Sequence, residues 1–162
     1  MDARGLLVNW AYGWSLPRGR RLPAPVAGGV RIDLGVPSRA VRFVLPGLDR
    51  LSIARLGRGW TAVGTEVKTL SGWARLRACV GDGWSMYPAC ELMTIEFTAR
   101  PGTLPGGYTA RMSADGATIV ATVLDGDNAL ASSARLARWG RYGIVDQVET
   151  SARHRRLAWR PR

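Results

Sequence analysis

The 162-residue sequence predicts an α+β protein in which a mixed N-terminal region precedes an antiparallel strand meander. Two observations predict this class. Helical and strand-like patterns alternate over about the first 100 residues, whereas strand-like patterns follow one another almost without interruption beyond PGTLPGG (101–107). That segment has two prolines and three glycines, a composition typical of a linker. We therefore divide the chain into an N-terminal α+β region, 1–100, and a C-terminal region, 101–162.

The N-terminal region is expected to begin with a short helix and an extended arm that reaches about Pro25. Three prolines in LPRGRRLPAP (16–25) oppose regular structure there. The segments VRIDLG (30–35) and AVRFVLP (40–46) alternate apolar and charged residues, which indicates two half-buried strands. A hairpin at 36–39 would join them.

Two further helices and two further strands are expected before the linker. Leucines at near-helical spacing ahead of Gly57 predict a helix over 47–56, and Ser71 is a candidate cap for a helix over 72–80. The β-branched and alternating residues of WTAVGTEVK (60–68) and ELMTIEF (91–97) predict strands.

The C-terminal region is predicted to form a four-stranded meander. Its strand-like segments are GYTARM, ATIVATVL, ALASSARLARW and YGIVDQVET. Asp115-Gly116 and Asp125-Gly126 separate the first three, and this dipeptide favours hairpins because glycine accepts the positive φ that tight turns require.

Composition argues against a metal enzyme and against a membrane protein. Two cysteines, Cys79 and Cys90, and a single histidine, His154, cannot assemble a mixed cluster of ligands. We expect both thiols to be reduced and buried, as is usual in a cytoplasmic chain. No run approaches the roughly 18 apolar residues of a membrane span, and the N-terminus lacks the cleavage site of a secretion signal.

The net charge of +11 leaves nucleic acid binding open as an alternative function. Lys68 is the only lysine, however, and the other 22 basic residues are scattered arginines, which is what GC-rich codons produce without a dedicated binding face. We therefore regard nucleic acid as an unlikely partner. Tryptophans could stack on bases, but core packing is the simpler interpretation for the five in the N-terminal region, Trp10, Trp14, Trp60, Trp73 and Trp84.

The most informative string is ALASSARLARWGRYGIVDQVETSARHRR (129–156). In order, spacing and residue type it resembles the stretch of GNAT-superfamily N-acetyltransferases in which the fourth strand ends in a hydrophobic-acidic-Thr step and leads to a basic loop. Val148, Glu149 and Thr150 stand at that step, and residues 151–156 occupy the place of the loop. The resemblance covers about residues 107–156.

The resemblance implies an enzyme that transfers acetyl from acetyl-CoA, its co-substrate, to an amine on a small molecule or protein by direct attack. The main chain of Val148, Glu149 and Thr150 would pair with the pantetheine arm as an added strand does. A main-chain N–H there would polarise the thioester carbonyl. Glu149 is the candidate general base, although a carboxylate on a strand is more often a solvated surface group.

The resemblance also implies that Arg155 and Arg156 neutralise the cofactor's pyrophosphate, with His154 as a neighbouring loop residue. The glycines that would form the family's phosphate-binding turn are missing, since the chain continues as LAWRPR to Arg162. We hypothesise a frameshift or sequencing error just after codon 156, which translation of the other reading frames would test. Weak or undetectable acetyl-CoA binding is expected from the truncated site.

Two structural alternatives remain open. VDQVET (145–150) could be an ordinary edge strand in which Val145, Gln147 and Glu149 face one way. The chain could also be an unstable truncated product, because an edge left open by a missing fifth strand would favour aggregation or an edge-strand dimer.

Overall fold

The computed structural model describes residues 2–55, 62–90, 92–98 and 102–155, without the side chains of residues 52 and 55. The chain forms two compact units, Met1–Thr94 and Ile95–Arg162. Each contains a four-stranded sheet, and the helices belong to the first. The predicted α+β class with a strand meander is confirmed.

The described residues of the first unit form three α-helices, a short 3-10 helix (Leu16–Arg18) and a mixed sheet. In chain order its elements are α1 (Ala3–Ser15), β1 (Ala24–Val26), β2 (Gly29–Val36), β3 (Arg39–Val44), α2 (Arg50–Arg55), β4 (Thr65–Lys68) and α3 (Trp73–Val80). The sheet order is β1-β2-β3-β4, with antiparallel pairing except between β3 and β4. The predicted hairpin at 36–39 is confirmed by the pairing of Val36 with Arg39.

Helix α1 covers one face of this sheet. The Asp2 carboxylate caps it by accepting hydrogen bonds from the N–H groups of Arg4 and Gly5. The apolar residues on one side of α1 pack against alternate apolar residues of β2 and β3. The buried cluster comprises Leu7, Ala11, Trp14, Val30, Ile32, Leu34 and Val44. At Gly29, a Cβ atom would lie 2.0 Å from the Val44 carbonyl oxygen, so only glycine allows β2 and β3 to approach this closely.

Several predicted elements differ from the structure. Helix α2 begins at Arg50, not at residue 47, and residue 56 lies outside the described ranges. Helix α3 has Gly72 as its N-cap, because the Ser71 hydroxyl instead accepts a hydrogen bond from the Leu48 N–H at 3.1 Å. Strand β4 is confined to Thr65–Lys68; residues 60 and 61 of the predicted strand are not described.

The predicted strand at 91–97 is wrong for its described residues, 92–97, which have no regular structure. Met93, Ile95 and Phe97 are 87%, 90% and 87% exposed. Alternating apolar residues form a strand only where a neighbouring strand supplies hydrogen bonds and a packed surface covers one face. Neither described sheet includes this segment.

The described tryptophans and cysteines of the first unit range from buried to exposed. Trp10, Trp14 and Trp84 pack in or against the core as expected. Trp73 is 51% exposed, so core packing is wrong for it, and residue 60 is not described. Both cysteines are free thiols, but Cys79 is half-buried and Cys90 is exposed, because Cys90 lies in an irregular segment that the core does not cover.

The second unit is the predicted meander. Its strands are β5 (Thr109–Asp115), β6 (Thr118–Leu124), β7 (Leu130–Trp139) and β8 (Tyr142–Thr150), paired antiparallel in the order β5-β6-β7-β8. Gly116 supplies the positive φ of the first turn, at 59°. In the second turn Asn128 has φ 60°, so the positive φ expected at Gly126 falls two residues later.

One face of the second sheet carries a row of exposed apolar side chains. Ala114, Ile119, Leu136 and Val145 lie side by side across the four strands. The last three are 44%, 37% and 62% exposed. Among the described residues of this unit the buried apolar ones are Ala131, Ala137 and Ile144, of which Ile144 lies opposite Ala137, so this sheet buries little apolar surface.

A partly buried ion pair connects β3 to β4 in the first unit. The Arg42 guanidinium is 5% exposed, donates to the Glu66 carboxylate at 2.8 and 2.9 Å and lies over the Trp14 ring, 4.5 Å from its centre. Arg39 donates to the same carboxylate. Although burial opposes ionisation of Glu66, the hydrogen bonds from Arg39 and Arg42 hold its pKa below the ordinary value.

We expect Glu66→Ala to destabilise the first unit by about 3 kcal/mol, because it leaves the buried Arg42 charge without its partner. Asp33→Ala is the matched control. It breaks the Arg31–Asp33 pair, whose side chains are 43% and 54% exposed, and should cost at most about 1 kcal/mol. Urea unfolding followed by tryptophan fluorescence measures both, and equal losses would contradict the assigned role of Glu66.

Candidate functional site at the β8 edge

Strand β8 is an edge strand of the second sheet. It pairs with β7 on one side, and on the other side no strand of the described residues accompanies it. Ser132 lies opposite Thr150 and Ser133 opposite Glu149. The predicted contact residues Val148, Glu149 and Thr150 are therefore together at the C-terminal end of an edge strand.

Hydrogen bonds identify which main-chain groups of this end face outward. The Ser151 N–H donates to the Ala131 carbonyl at 2.9 Å, and the Glu149 carbonyl accepts from the Ser132 hydroxyl at 2.8 Å. Residues 149 and 151 thus turn their main-chain groups toward β7. Because these groups alternate along a strand, those of Thr150 face away from the sheet. We call this side the outer edge of β8.

A bulge interrupts β8 just before this end. Arg135 lies opposite Asp146 and Ser133 opposite Glu149, so two residues of β8 stand against one residue of β7. Within the bulge Gln147 has φ 51°, a left-handed conformation that is uncommon outside glycine. The extra residue places Glu149 on the same face as Asp146 and opposite to Val145, so the interpretation of Val145, Gln147 and Glu149 on one face is wrong.

The candidate base Glu149 is exposed and projects from this strand end. Val148 beside it is 64% exposed. A carboxylate in this setting can take a proton from an approaching ammonium group, but the apo geometry neither buries it nor aims it at a defined partner. Its catalytic role stays a prediction.

Residues after β8 are held by a buried polar cluster that the sequence analysis did not anticipate. Asp125 and His154 are 8% and 7% exposed. The His154 Nε2 atom lies 3.3 Å from Asp125 Oδ2, and its Nδ1 atom lies 2.6 Å from the Ser151 hydroxyl. The Tyr108 ring packs edge-on against the imidazole, with ring centres 5.8 Å apart. The loop that follows the outer edge is thereby fixed to the β6–β7 turn.

Asp125 also organises the turn itself. Its Oδ1 atom accepts hydrogen bonds from the N–H groups of Ala129 and Asp127 at 2.9 and 3.0 Å. These bonds, Ala129 first, outweigh the effect of burial and, with the nearby Arg153 and His154, lower the pKa of the carboxyl. The sequence signal that could have found this cluster is the D-G-D turn, since aspartate at the start of a turn often bonds to the main chain two residues on.

The two arginines described in the basic loop have different surroundings. Arg153 lies between two carboxylates, 3.6 Å from Asp125 and 3.3 Å from Asp127. Arg155 instead turns back, and its Nε donates to the Thr150 carbonyl at 3.0 Å. Arg156, the other predicted pyrophosphate contact, lies outside the described residues.

The rest of the described chain offers few competing sites. Among the described residues no three His, Cys, Asp or Glu side chains are grouped as metal ligands, and no helix there is long and apolar enough to cross a membrane. The first unit has an open cavity of about 880 Å³ at the N-terminal ends of α1 and α3, lined by Arg4 and Arg75 among others. None of the residues predicted to contact the cofactor lines it.

Comparison with known proteins adds no assignment, since no family model, curated protein or solved structure matches the chain. The geometry itself defines an α+β protein whose second sheet ends in a bulged edge strand and a basic loop. A function can therefore be inferred only from the residues of this edge.

The polar cluster predicts how the second unit responds to acid. Folding lowers the pKa of Asp125, so the ionised Asp125 carboxylate stabilises the folded state. This stabilisation is complete above the unfolded-state pKa of about 3.9 and is lost as the pH falls through the lower folded-state pKa. We expect Asp125→Asn to be less stable than the unmodified chain at neutral pH, and this difference to shrink as the pH falls below the unfolded-state pKa of about 3.9.

Urea unfolding of the second unit, followed by amide NMR signals, measures this difference. Asp127→Asn is the matched control, because its carboxylate is 77% exposed and meets only Arg153 at 3.3 Å, so its effect should be small at every pH. A difference for Asp125→Asn that does not change with pH would contradict the role of the charge.

Proposed function

We propose that this chain is an acetyl-CoA-dependent N-acetyltransferase of the GNAT type, or a part of one, which transfers acetyl to an amine by direct attack. The observation that carries the proposal is the outer edge of β8. Outward-facing main-chain groups at its C-terminal end are followed within five residues by an arginine that reaches back to Thr150. Coenzyme A combines an extended pantetheine arm with phosphates, so it could pair with such an edge and contact such an arginine.

The pantetheine arm is an extended chain with amide groups of its own. Such a chain can add to an exposed sheet edge through main-chain hydrogen bonds, without a deep pocket. The Thr150 N–H and C=O offer one donor and one acceptor on the outer edge, and the bulge at Gln147 turns the strand just before them. Carriers lacking amide groups would find no comparable partner.

The reaction that fits this site requires no covalent enzyme intermediate. The acceptor amine attacks the thioester carbonyl, a C–N bond forms, the C–S bond breaks, and coenzyme A leaves as a thiolate that takes up a proton. An outward N–H of β8 would stabilise the charge that develops on the carbonyl oxygen. Glu149 would accept the proton that the amine gives up.

Affinity for the cofactor should be low. The sequence after Arg156 contains no glycine, so it does not encode the turn whose successive N–H groups bind a pyrophosphate. Among the residues of this sequence, binding then rests on main-chain pairing and on Arg155 and Arg156. A dissociation constant of about 1 mM corresponds to roughly 4 kcal/mol, which a few exposed hydrogen bonds can supply. A cytoplasmic location belongs to the proposal, because both cysteines are free thiols.

Titration of the ¹⁵N-labelled chain with millimolar acetyl-CoA tests the proposal. We expect the amide signals of Val148 and Thr150 to shift, because a ligand at the outer edge would contact them. The Ser151 amide should shift less, because it donates to Ala131 within the sheet. Absence of any shift along β8 at millimolar acetyl-CoA would refute the proposal.

Thr150→Pro provides a matched variant. It removes the outward N–H but no ladder bond, and proline is tolerated on an edge strand where the N–H faces solvent. We expect the variant to keep the β-sheet spectrum and to lose most of the acetyl-CoA response. Unchanged binding would mean that the ligand does not pair with this edge.

A further inference from the structure

A serine, a histidine and an aspartate stand in sequence of contact just after the C-terminal end of β8. The Ser151 hydroxyl lies 2.6 Å from the His154 Nδ1 atom, and the His154 Nε2 atom lies 3.3 Å from Asp125 Oδ2. We propose that Ser151 is a nucleophile that cleaves esters of short carboxylic acids, with His154 as its general base and Asp125 as the carboxylate that orients the base. This inference does not rest on the proposed acetyl transfer.

The contacts of His154 give its ring the protonation that a general base requires. Hydrogen bonds from the main chain of the turn keep the pKa of Asp125 low, and an ionised carboxylate accepts hydrogen bonds but cannot donate them. The hydrogen of the neutral imidazole therefore belongs on Nε2, which faces Asp125. Nδ1 is then an acceptor, and the Ser151 hydroxyl donates to it.

The two ring nitrogens exchange the roles that they usually have in serine hydrolases. There the carboxylate contacts Nδ1 and the serine contacts Nε2, whereas here the carboxylate of Asp125 faces Nε2 and Ser151 contacts Nδ1. Both nitrogens belong to one conjugated ring, so a proton gained at either one places the positive charge on the whole imidazolium. The arrangement therefore supports the same chemistry.

One oxygen of Asp125 is buried without a hydrogen bond. Its Oδ1 atom accepts from two N–H groups of the turn, but Oδ2 has no partner of hydrogen-bond geometry among the described residues. The Arg153 guanidinium is 3.6 Å from Oδ2, although its side chain is 67% exposed and therefore screened by solvent. A buried carboxylate oxygen in this state can stabilise the positive charge that His154 gains when it takes the Ser151 proton.

The burial of the three residues differs as their roles require. Asp125 and His154 are 8% and 7% exposed, and the Tyr108 ring packs edge-on against the imidazole. Ser151 is only partly buried, and Ala152 beside it is exposed. The base and the carboxylate are thus shielded from water, while the residue that carries the nucleophile meets solvent. An exposed strand end suits a short acyl group, which needs no deep apolar pocket.

The reaction balances with water as its only co-reactant. The Ser151 oxygen attacks the ester carbonyl carbon and its proton passes to His154. The bond between the carbonyl carbon and the leaving oxygen breaks, and the alcohol departs with that proton. Water then attacks the acyl-serine and gives a proton to His154, which returns it to the serine oxygen as the carboxylic acid leaves.

Turnover should be slow, because the Ser151 N–H is not available to stabilise the oxyanion. It donates to the Ala131 carbonyl at 2.9 Å, and the lack of one such donor lowers a rate by about 10²- to 10³-fold. Activation by a positioned base contributes about 10²- to 10⁴-fold. We therefore expect a covalent adduct of Ser151 to be easier to observe than repeated turnover.

Labelling with a fluorophosphonate tests the nucleophile directly. The serine oxygen forms a bond to phosphorus, fluoride leaves, and the serine proton is released with it, so the adduct stays on the protein and peptide mass spectrometry locates it. Ser132 is the internal control, because it is also partly buried but donates its hydroxyl to the Glu149 carbonyl instead of to a base. We expect Ser151 to be labelled at least about 100-fold faster than Ser132.

Three variants separate an activated serine from an exposed one. His154→Gln should slow the labelling of Ser151 by about 100-fold or more, whereas Ser132→Ala should leave it unchanged. The β8 amide signals show whether the sheet is retained in each variant. Ser151→Ala keeps the histidine, and its release of nitrophenolate from p-nitrophenyl acetate should fall to the rate of the buffer.

The outcomes either support or overturn the inference. Equal labelling of Ser151 and Ser132 in the unmodified chain overturns it, and so does unchanged ester cleavage in Ser151→Ala. If His154→Gln loses the sheet, the comparison of the two serines in the unmodified chain decides alone. None of these measurements uses acetyl-CoA, so their failure would leave the proposed acetyl transfer standing and would reduce the cluster to a support of the loop.

Discussion

An edge strand turns half of its main-chain hydrogen-bonding groups away from its sheet, and this constraint governs what β8 can do. The inward half is used by β7, as the bond from Ser151 to Ala131 shows. The outward half includes Thr150, whose carbonyl is bonded by Arg155. A ligand proposed to bind here would therefore pair with main-chain groups whose positions the sheet fixes.

Rigid support for the edge comes from polar contacts more than from apolar packing. The second unit buries few apolar side chains, yet its one histidine is buried between a serine and an aspartate that also caps a turn. The described part of the first unit has the opposite character, with an apolar layer under α1 and the partly buried Arg42–Glu66 ion pair. Loss of one cluster member should therefore disturb the β8 end more than loss of one exposed methyl group.

Alternation predicted the meander and strands β2 and β3, because in these segments the side-chain pattern and the available pairing partner agree. It failed at 92–97, where a strand-like pattern has no neighbour in the described sheets. The bulge at Gln147 was not predictable, because the sequence has no glycine there. Residues Val148, Glu149 and Thr150 were located correctly on the strand end, but the contacts of Arg155 and Asp125 depend on tertiary geometry that spacing does not encode.

The bulge has a consequence for the behaviour of the chain in concentrated solution. A strand of another molecule that adds to β8 in regular register could form main-chain hydrogen bonds as far as Asp146. It would lose this register at Gln147, because the extra residue of the bulge shifts the following groups. Beyond that point the added strand would also approach the Thr150 carbonyl, to which the Arg155 guanidinium donates. Fibril-forming contacts need long uninterrupted edges, so the bulge discourages the propagation of intermolecular sheets along β8.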